Sequence, residues 1–327
     1  MPMFSVILLC HRNAWSIRDA VQSVIDQSVS DWDCLICDDA STDGTAEVVR
    51  EYLGDSRITY FRQPQNVGQA LNWTYGLTHA KAKYVATLHA DDVWFEDALA
   101  TYLSAFDQST GCELVSGDWL RTDSQLRPLV HQPQSRVGGD YAHDTVVRRV
   151  LLDNPFLPSA SAFRRKLIDS AGFPNPDYGM LCDRDYFLRL SIAARSVAIL
   201  DRRVMRYRVH EGSVTNEYVR NHRLLDELLD FEKRLDDYLK DYADKGELIA
   251  TYKEMSADFF FRNGITIFQD GDSRRAGEII EHARQCDPRL LRSPKRLIKW
   301  LVYRCGPWGR RLMPYIHNRN TFVTDVV

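Results

Sequence analysis

Apolar and polar positions switch between two periods in the first third of the chain, and the switching predicts its elements. Residues 4–9 are nearly all apolar, as in a strand buried on both faces. Residues 16–27 then place Ile17, Ala20, Val21, Val24 and Ile25 on one helical face, with Ser16 at the N-cap. The same reading gives strands over 34–37, 58–61, 84–88 and 113–119, and helices over 45–53, 68–80 and 96–106. Strand–helix–strand repetition at this spacing implies right-handed crossovers and a mainly parallel, doubly wound sheet. In such sheets ligands bind beyond the carboxyl ends of the strands. Three polar clusters fall there: Cys10-His11-Arg12-Asn13, Asp38-Asp39 and Asp91-Asp92.

Between about 115 and 207 the pattern is mixed, with Pro- and Gly-containing loops around 128–139 and 174–179. After Thr215 the chain turns helical. Residues 223–242 and 247–268 are long, charged and amphipathic, and Gly271-Asp272-Ser273 breaks the second before 274–285. A single hairpin of this kind, closed by Asp287-Pro288 and without a repeating period, predicts a helical cap rather than a repeat array.

Composition adds exclusions. A hydrophobic fraction of 44%, a charged fraction of 27% and a net charge of −3 describe a soluble globular protein and argue for no polyanionic or polycationic partner. The seven cysteines have no framework spacing. Cys34 and Cys37 form a C-x-x-C inside a strand, where residues three apart face opposite ways. They predict buried thiols in a reducing cytoplasm rather than a zinc or redox site. The N-terminus lacks the basic and long apolar regions of a signal peptide, and no apolar run nears the roughly 20 residues of a membrane span. The expectation is a cytoplasmic protein, at most peripheral at the inner face of the membrane.

Asp91 and Asp92 at the end of a strand repel each other and lose solvation unless a cation or hydrogen-bond donors compensate. Hard oxygen ligands there suit Mg2+ or Mn2+, which also bridges nucleotide phosphates. A pair of turn aspartates capping the helix near Glu96 fits the residues as well. Asp38-Asp39 runs into Ala40-Ser41-Thr42-Asp43-Gly44-Thr45, which reads as a turn with an N-cap from Ser41, Thr42 or Asp43. It also reads as a carboxylate accepting the imide N–H of a pyrimidine base.

The motifs taken in order are more specific than any one of them. Phe4-Ser5-Val6-Ile7-Leu8-Leu9-Cys10-His11-Arg12-Asn13, Cys37-Asp38-Asp39-Ala40-Ser41-Thr42-Asp43-Gly44-Thr45, Asn66-Val67-Gly68 and Leu88-His89-Ala90-Asp91-Asp92 are followed by Gly172-Phe173, Leu181-Cys182-Asp183-Arg184-Asp185 and Tyr207-Arg208-Val209-His210. The series resembles the GT-A glycosyltransferases of family 2 over about residues 3–216. The resemblance implies an α/β, Rossmann-like GT-A fold, its mainly parallel sheet flanked by helices, with a C-terminal helical extension. Residues 1–112 would form the nucleotide-sugar half, 113–216 the acceptor half and 217–327 the extension. It also implies a metal-dependent, inverting transferase of polysaccharide biosynthesis. Such an enzyme moves a sugar from a nucleotide-diphosphate sugar, a UDP-sugar in first place, to a hydroxyl of a glycan or lipid-linked saccharide. Asp39 would contact the base, and Leu9, Cys10, His11, Arg12, Asn66, Gly68, His89 and Ala90 would line the nucleotide. Asp91 and Asp92 would hold Mn2+ or Mg2+, with His210 a further candidate ligand. The Arg208–His210 loop would close over the diphosphate, and Asp183 would be the general base. Without the resemblance, Asp183 and Asp185 read as a first-turn acidic pair favoured by the helix dipole, with Asp185 capping the helix or orienting Arg189.

The chain departs from the family at three places. Leu9-Cys10-His11-Arg12 stands where Pro-Thr-Tyr-Asn is usual, His89 opens the metal motif, and Trp73-Thr74 replaces an Arg-Asn pair. The His89 imidazole can ligate Mn2+ but reads first as a ribose contact or a packing residue, and Arg12 as a stand-in for the missing arginine. Two other readings remain open: a catalytically degenerate GT-A module that binds a glycan or nucleotide, and a sugar nucleotidyltransferase. Residues 10–16 lack the glycine-rich phosphate loop that the second would want.

Residues 288–324 contain no Asp or Glu and nine Lys or Arg, interleaved with Leu297, Ile298, Trp300, Leu301 and Trp308. The stretch suits a helix lying on an anionic membrane, or a helix packed on the domain with its basic face in water. No motif points to nucleic acid.

Overall fold

The computed structural model describes residues 1–108, 111–130, 138–141, 143–210 and 223–316. The chain forms two compact units, Met1–Ser213 and Val214–Val327.

In the first unit the strands and helices follow in the order β1 (Phe4–Cys10), α1 (Ile17–Ile25), β2 (Trp32–Asp38), α2 (Thr45–Arg50), β3 (Ile58–Arg62), α3 (Gln69–His79), β4 (Tyr84–His89), β5 (Val93–Trp94), α4 (Ala98–Gln108) and β6 (Cys112–Thr122). After these come β7 (Gly139–Tyr141), α5 (His143–Asp153), β8 (Ser161–Arg164), α6 (Leu167–Ala171), α7 (Cys182–Ala193) and β9 (Ser196–Arg208). One sheet runs β3-β2-β1-β4-β8-β6-β9-β5, with β7 added on β9. The first four strands are parallel, as their crossovers require. Register levels their carboxyl ends: Leu9 lies beside both Cys37 and His89, and Cys10 beside Asp38. The three polar clusters therefore share one edge.

The other half of the sheet is mixed. β8 runs antiparallel between β4 and β6, and β6 and β9 pair in parallel. Periodicity marks the strand at 113–119 but carries neither its partner nor its direction. α2 ends at Arg50, three residues early, because Leu53 is exposed and Gly54 follows it. Cys34 and Cys37 are buried thiols, as expected.

Gly76 lets α3 lie close on the sheet. A Cβ there would come within 2.5 Å of Ile7 Cγ2 and 3.1 Å of Cys37 Sγ. Alanine gains about 1 kcal/mol of helix propensity, whereas forcing a methyl into a packed core costs about 1–3 kcal/mol. Gly76→Ala is therefore expected to lower stability by about 1 kcal/mol in urea unfolding; equal or higher stability would show that β1 yields freely.

The second unit comprises α8 (Arg223–Tyr238), α9 (Lys245–Asp270), α10 (Ser273–Cys286), α11 (Pro294–Arg304) and α12 (Pro307–Leu312). Phe231, Phe260, Phe261, Phe268, Ile279 and Ile280 form its core. The turn between α9 and α10 uses Gly271 at φ +108° and Asp272, whose side chain accepts from Arg275 N. Glu232 is clasped by His282 at 3.1 Å and Lys253 at 3.3 Å. With Cys286 and Glu232 as partners, the His282 imidazole is pushed up to about 9. Among the described residues no helix is long and apolar enough to cross a membrane.

Candidate active site

The end of β1 ties the site together through its backbone. Cys10 O accepts from Asp39 N, and Leu9 O accepts from Ala90 N, each at 2.9 Å. The Leu9, Cys10 and Ala90 side chains are buried, so these residues contribute shape rather than polar contacts. Just past the strand ends, Arg12 and Ala40 take φ of +57° and +56°. Left-handed backbone costs a non-glycine residue about 1–2 kcal/mol. Ser41 Oγ accepts from Arg12 N at 2.8 Å and helps hold the turn. The Arg12 side chain is exposed, next to this turn.

Asp39 is buried and accepts from Val67 N at 2.7 Å and Gly68 N at 2.9 Å. Gly68 has φ +87°, a conformation L side chains rarely adopt, which explains glycine there. Each carboxylate oxygen keeps a second lone pair. His11 Nδ1 sits 2.6 Å from Asp39 O, and since a carbonyl only accepts, Nδ1 carries the proton. Asn66 Nδ2 then donates to the free Nε2 at 3.2 Å. Asp39, His11, Asn66 and Gly68 thus form one fixed shelf. Asp38 serves structure: it is buried, accepts from Ser41 N at 2.9 Å and from the Tyr60 hydroxyl at 2.5 Å.

The acidic cluster lies at the end of β4. One ligand atom each from His89, Asp91 and Asp92 fall within 4.8 Å of one another. His89 Nε2 is buried and has no hydrogen-bond partner among the described residues, and burial lowers the His89 pKa, which favours the neutral imidazole a metal needs. Burial pushes the Asp91 carboxyl up, but the hydrogen bond from His210 and the neighbouring His89 outweigh it and hold the group below its ordinary range. Asp92 goes the other way: burial and the Asp91 charge push it well up, against Ser159 and Arg208. Two carboxyls driven apart in this way carry an electrostatic load that a divalent cation would remove. An imidazole nitrogen with two carboxylates is a donor set that Mn2+ accepts readily.

His210 Nε2 contacts Asp91 Oδ2 at 3.1 Å, and its ring meets the edge of Trp15. It lies outside the three-residue group and instead fixes Asp91. Arg208 and His210 belong to the loop expected to close over the diphosphate, whose following residues, 211–222, lie outside the described residues. Arg208 is buried, its Nε donates to Asp91 O at 2.7 Å, its Nη1 to Ser124 O and its Nη2 to Asp19 Oδ2, while its backbone N donates to Asp92 Oδ1. The guanidinium is the anchor of the acidic turn. Trp73 is likewise a core residue, its Nε1 donating to Thr87 Oγ1 and its ring edge-on to Tyr186. The missing arginine is therefore not replaced at its own position.

Asp183 and Asp185 separate cleanly at the start of α7. Asp185 is buried and paired with Arg189 at 2.6 Å, and Arg189 Nη2 donates to Phe173 O, holding the Gly172-Phe173 turn. Asp183 is half-buried, with Oδ1 accepting from Arg184 N at 2.6 Å. Burial first, then the charges of Asp92, Asp91 and Asp183, push the Tyr207 phenol up. Ser159, Asp19 and Trp15 were not legible as site residues; each is a common residue type whose role appears only through its partner.

A sequence model described as Glycosyl transferase family 2 matches residues 5–172, about half of the chain. TuaG of Bacillus subtilis (strain 168), a glycosyltransferase assigned to teichuronic acid biosynthesis, is 33% identical over 153 residues, covering 45% of this chain and 59% of TuaG. The chain thus spans under two thirds of that relative. WfaP of Escherichia coli, a UDP-Glc:α-D-GlcNAc-diphosphoundecaprenol β-1,3-glucosyltransferase, is 23% identical over 66% of this chain and 80% of its own. Staphylococcus aureus TarS 1–349 in complex with UDP-GlcNAc superposes with a TM-score of 0.68 at 15% identity, over 97% of this chain and 93% of its own. The mannosyltransferase PcManGT of Pyrobaculum calidifontis, in complex with GDP-Man and Mn2+, gives 0.55 at 17% identity, over 96% of this chain and 86% of its own. The fold is that of the GT-A glycosyltransferases.

Proposed function

The chain belongs to glycosyl transferase family 2, and from that premise we propose that it transfers a sugar, with inversion, from a nucleotide-diphosphate sugar to a hydroxyl of a glycan or lipid-linked saccharide. The observation that carries the reading is the convergence of His89, Asp91 and Asp92 on one edge with the Asp39–His11 shelf. Asp39 has lone pairs to accept the single imide N–H of uracil, and His11 offers a ring face beside it. A UDP-sugar is therefore the first choice of donor, in keeping with the UDP-sugars named for WfaP and TarS. WfaP, named for a diphosphoundecaprenol-linked acceptor, makes a lipid-linked saccharide the first acceptor class.

His89, Asp91 and Asp92 would hold Mn2+ or Mg2+, which when bound supplies Lewis-acid neutralisation of charge on the departing diphosphate. His210 and Arg208 keep Asp91 and Asp92 in place through direct hydrogen bonds. Asp183 takes the proton of the attacking hydroxyl as general base. One base set across the sugar from the leaving group gives inversion by direct displacement, without a covalent intermediate on the protein.

Titration calorimetry with a panel of UDP- and GDP-sugars, with and without Mn2+, tests this reading. The expected result is binding of a UDP-sugar strengthened at least about tenfold by the cation, with slow donor hydrolysis. Binding indifferent to Mn2+ would remove the metal assignment. Metal-dependent binding without any hydrolysis or transfer would instead support a binding module on the same fold.

A further inference from the structure

The second unit carries a surface that the proposed reaction does not use. No residue of α11 is buried. One side of the helix is nevertheless attached: Arg296 Nε donates to Asp258 Oδ1 at 2.6 Å and the Tyr303 ring stands edge-on to Phe268. The side turned away carries Leu297, Ile298 and Leu301, which lie at i, i+1 and i+4 and are 39%, 51% and 50% exposed. α12 repeats the arrangement. Met313 just after it is buried, while Trp308 and Leu312, one turn apart, are 73% and 54% exposed.

Five large apolar side chains in water, on two successive helices, are an unusual outlay for a soluble protein. The charge around them identifies the partner. Lys295, Arg304 and Arg311 are exposed beside these residues, and no Asp or Glu occurs from 288 to 324. A second copy of the chain would have to bury these cations against its own, and an acidic protein would offer no apolar phase for Trp308. An anionic bilayer meets both demands. Leu and Ile enter the acyl boundary, Trp settles at the headgroup level, and Lys and Arg pair with lipid phosphates.

We propose that α11 and α12 form a binding surface for an anionic lipid bilayer, lying in its interface without crossing it. This inference stands on the second unit alone and does not depend on the transferase reading.

Two measurements on the full chain test it. In co-sedimentation, the protein should pellet with vesicles of phosphatidylglycerol and phosphatidylcholine but not with phosphatidylcholine alone, and salt should release it. The triple variant L297S/I298S/L301S should bind at least about tenfold more weakly. Each of Lys295→Gln, Arg304→Gln and Arg311→Gln should weaken binding about fivefold. Independently of any variant's folding, Cys305 is the one exposed cysteine, the other six being buried. A polarity-sensitive dye on Cys305 should shift to the blue on the anionic vesicles. Absence of both lipid-dependent pelleting and the shift overturns the proposal. So does undiminished vesicle binding by the apolar triple variant, or a solution dimer that this variant dissociates in place of lipid binding. Donor hydrolysis enters none of these arms, so failure here leaves the proposed activity untouched.

Discussion

Replacing Asp91 by alanine is expected to cut donor turnover about a thousandfold, the scale of several kcal/mol of lost charge stabilisation. The size follows from where the carboxylate stands. Asp91 is the residue of the cluster held below its ordinary range, so it carries the negative charge on which a cation would sit, whereas Asp92 is pushed up. Removing Asp91 also removes the carboxylate that His210 Nε2 contacts at 3.1 Å. The control is His210→Ala, which loses the positioning bond but leaves the donor set of His89, Asp91 and Asp92 complete. It should cost about ten- to a hundredfold. Calorimetry separates the effects: Asp91→Ala should abolish the Mn2+-dependent part of UDP binding, and His210→Ala should only weaken it. Retention of Mn2+-strengthened binding in Asp91→Ala would remove the acidic turn from the site.

The contrast between these two residues shows how far the sequence reaches. β1, β2 and β4 were legible because each is an apolar run ending abruptly in polar residues, and parallel crossovers force such ends to one edge. The clusters Asp38-Asp39 and Asp91-Asp92 follow directly from that rule, and the resemblance to the family singles out Asp39 within the first. His89 was readable at the head of the metal motif as a ribose contact, a packing residue or a ligand; register sets it beside Leu9, with Nε2 unsatisfied among the described residues. Arg208 was legible only as part of a loop expected to close over the diphosphate; its guanidinium bonds to backbone oxygens of Asp91 and Ser124 and to Asp19, partners 84 to 189 residues away. Contacts that distant leave no periodic trace. The same is true of β8, whose four residues pass between β4 and β6 and make half of the sheet mixed. At Trp73 the substitution is visible in the sequence, but its consequence is not. The indole is a core residue bonded to Thr87, so the family's cation at this point is absent, and the exposed Arg12 is the candidate to supply it.

Asp183→Asn is the second large effect, and its signature differs from that of Asp91→Ala. The amide keeps the shape and can still accept from Arg184 N, so α7 should remain folded, but it cannot take a proton. Transfer is expected to fall about 10²–10⁴-fold, the usual contribution of a positioned general base. UDP-sugar affinity, with and without Mn2+, should stay within about twofold, because an acceptor-side base binds no part of the nucleotide. Asp185→Asn provides the comparison within the same turn of helix. It removes the charge of the buried pair with Arg189, which also holds the Phe173 turn, so its loss should appear in unfolding, by about 1–3 kcal/mol for a weakened charge-assisted hydrogen bond, and not selectively in catalysis. The two aspartates therefore sort by readout: Asp183 by rate at constant stability, Asp185 by stability. Equal losses of transfer and of donor affinity in Asp183→Asn would place this carboxylate on the donor and leave the base unassigned. Full transfer activity in Asp183→Asn would remove it from the reaction, and the first-turn acidic pair would then be a helix-dipole feature alone.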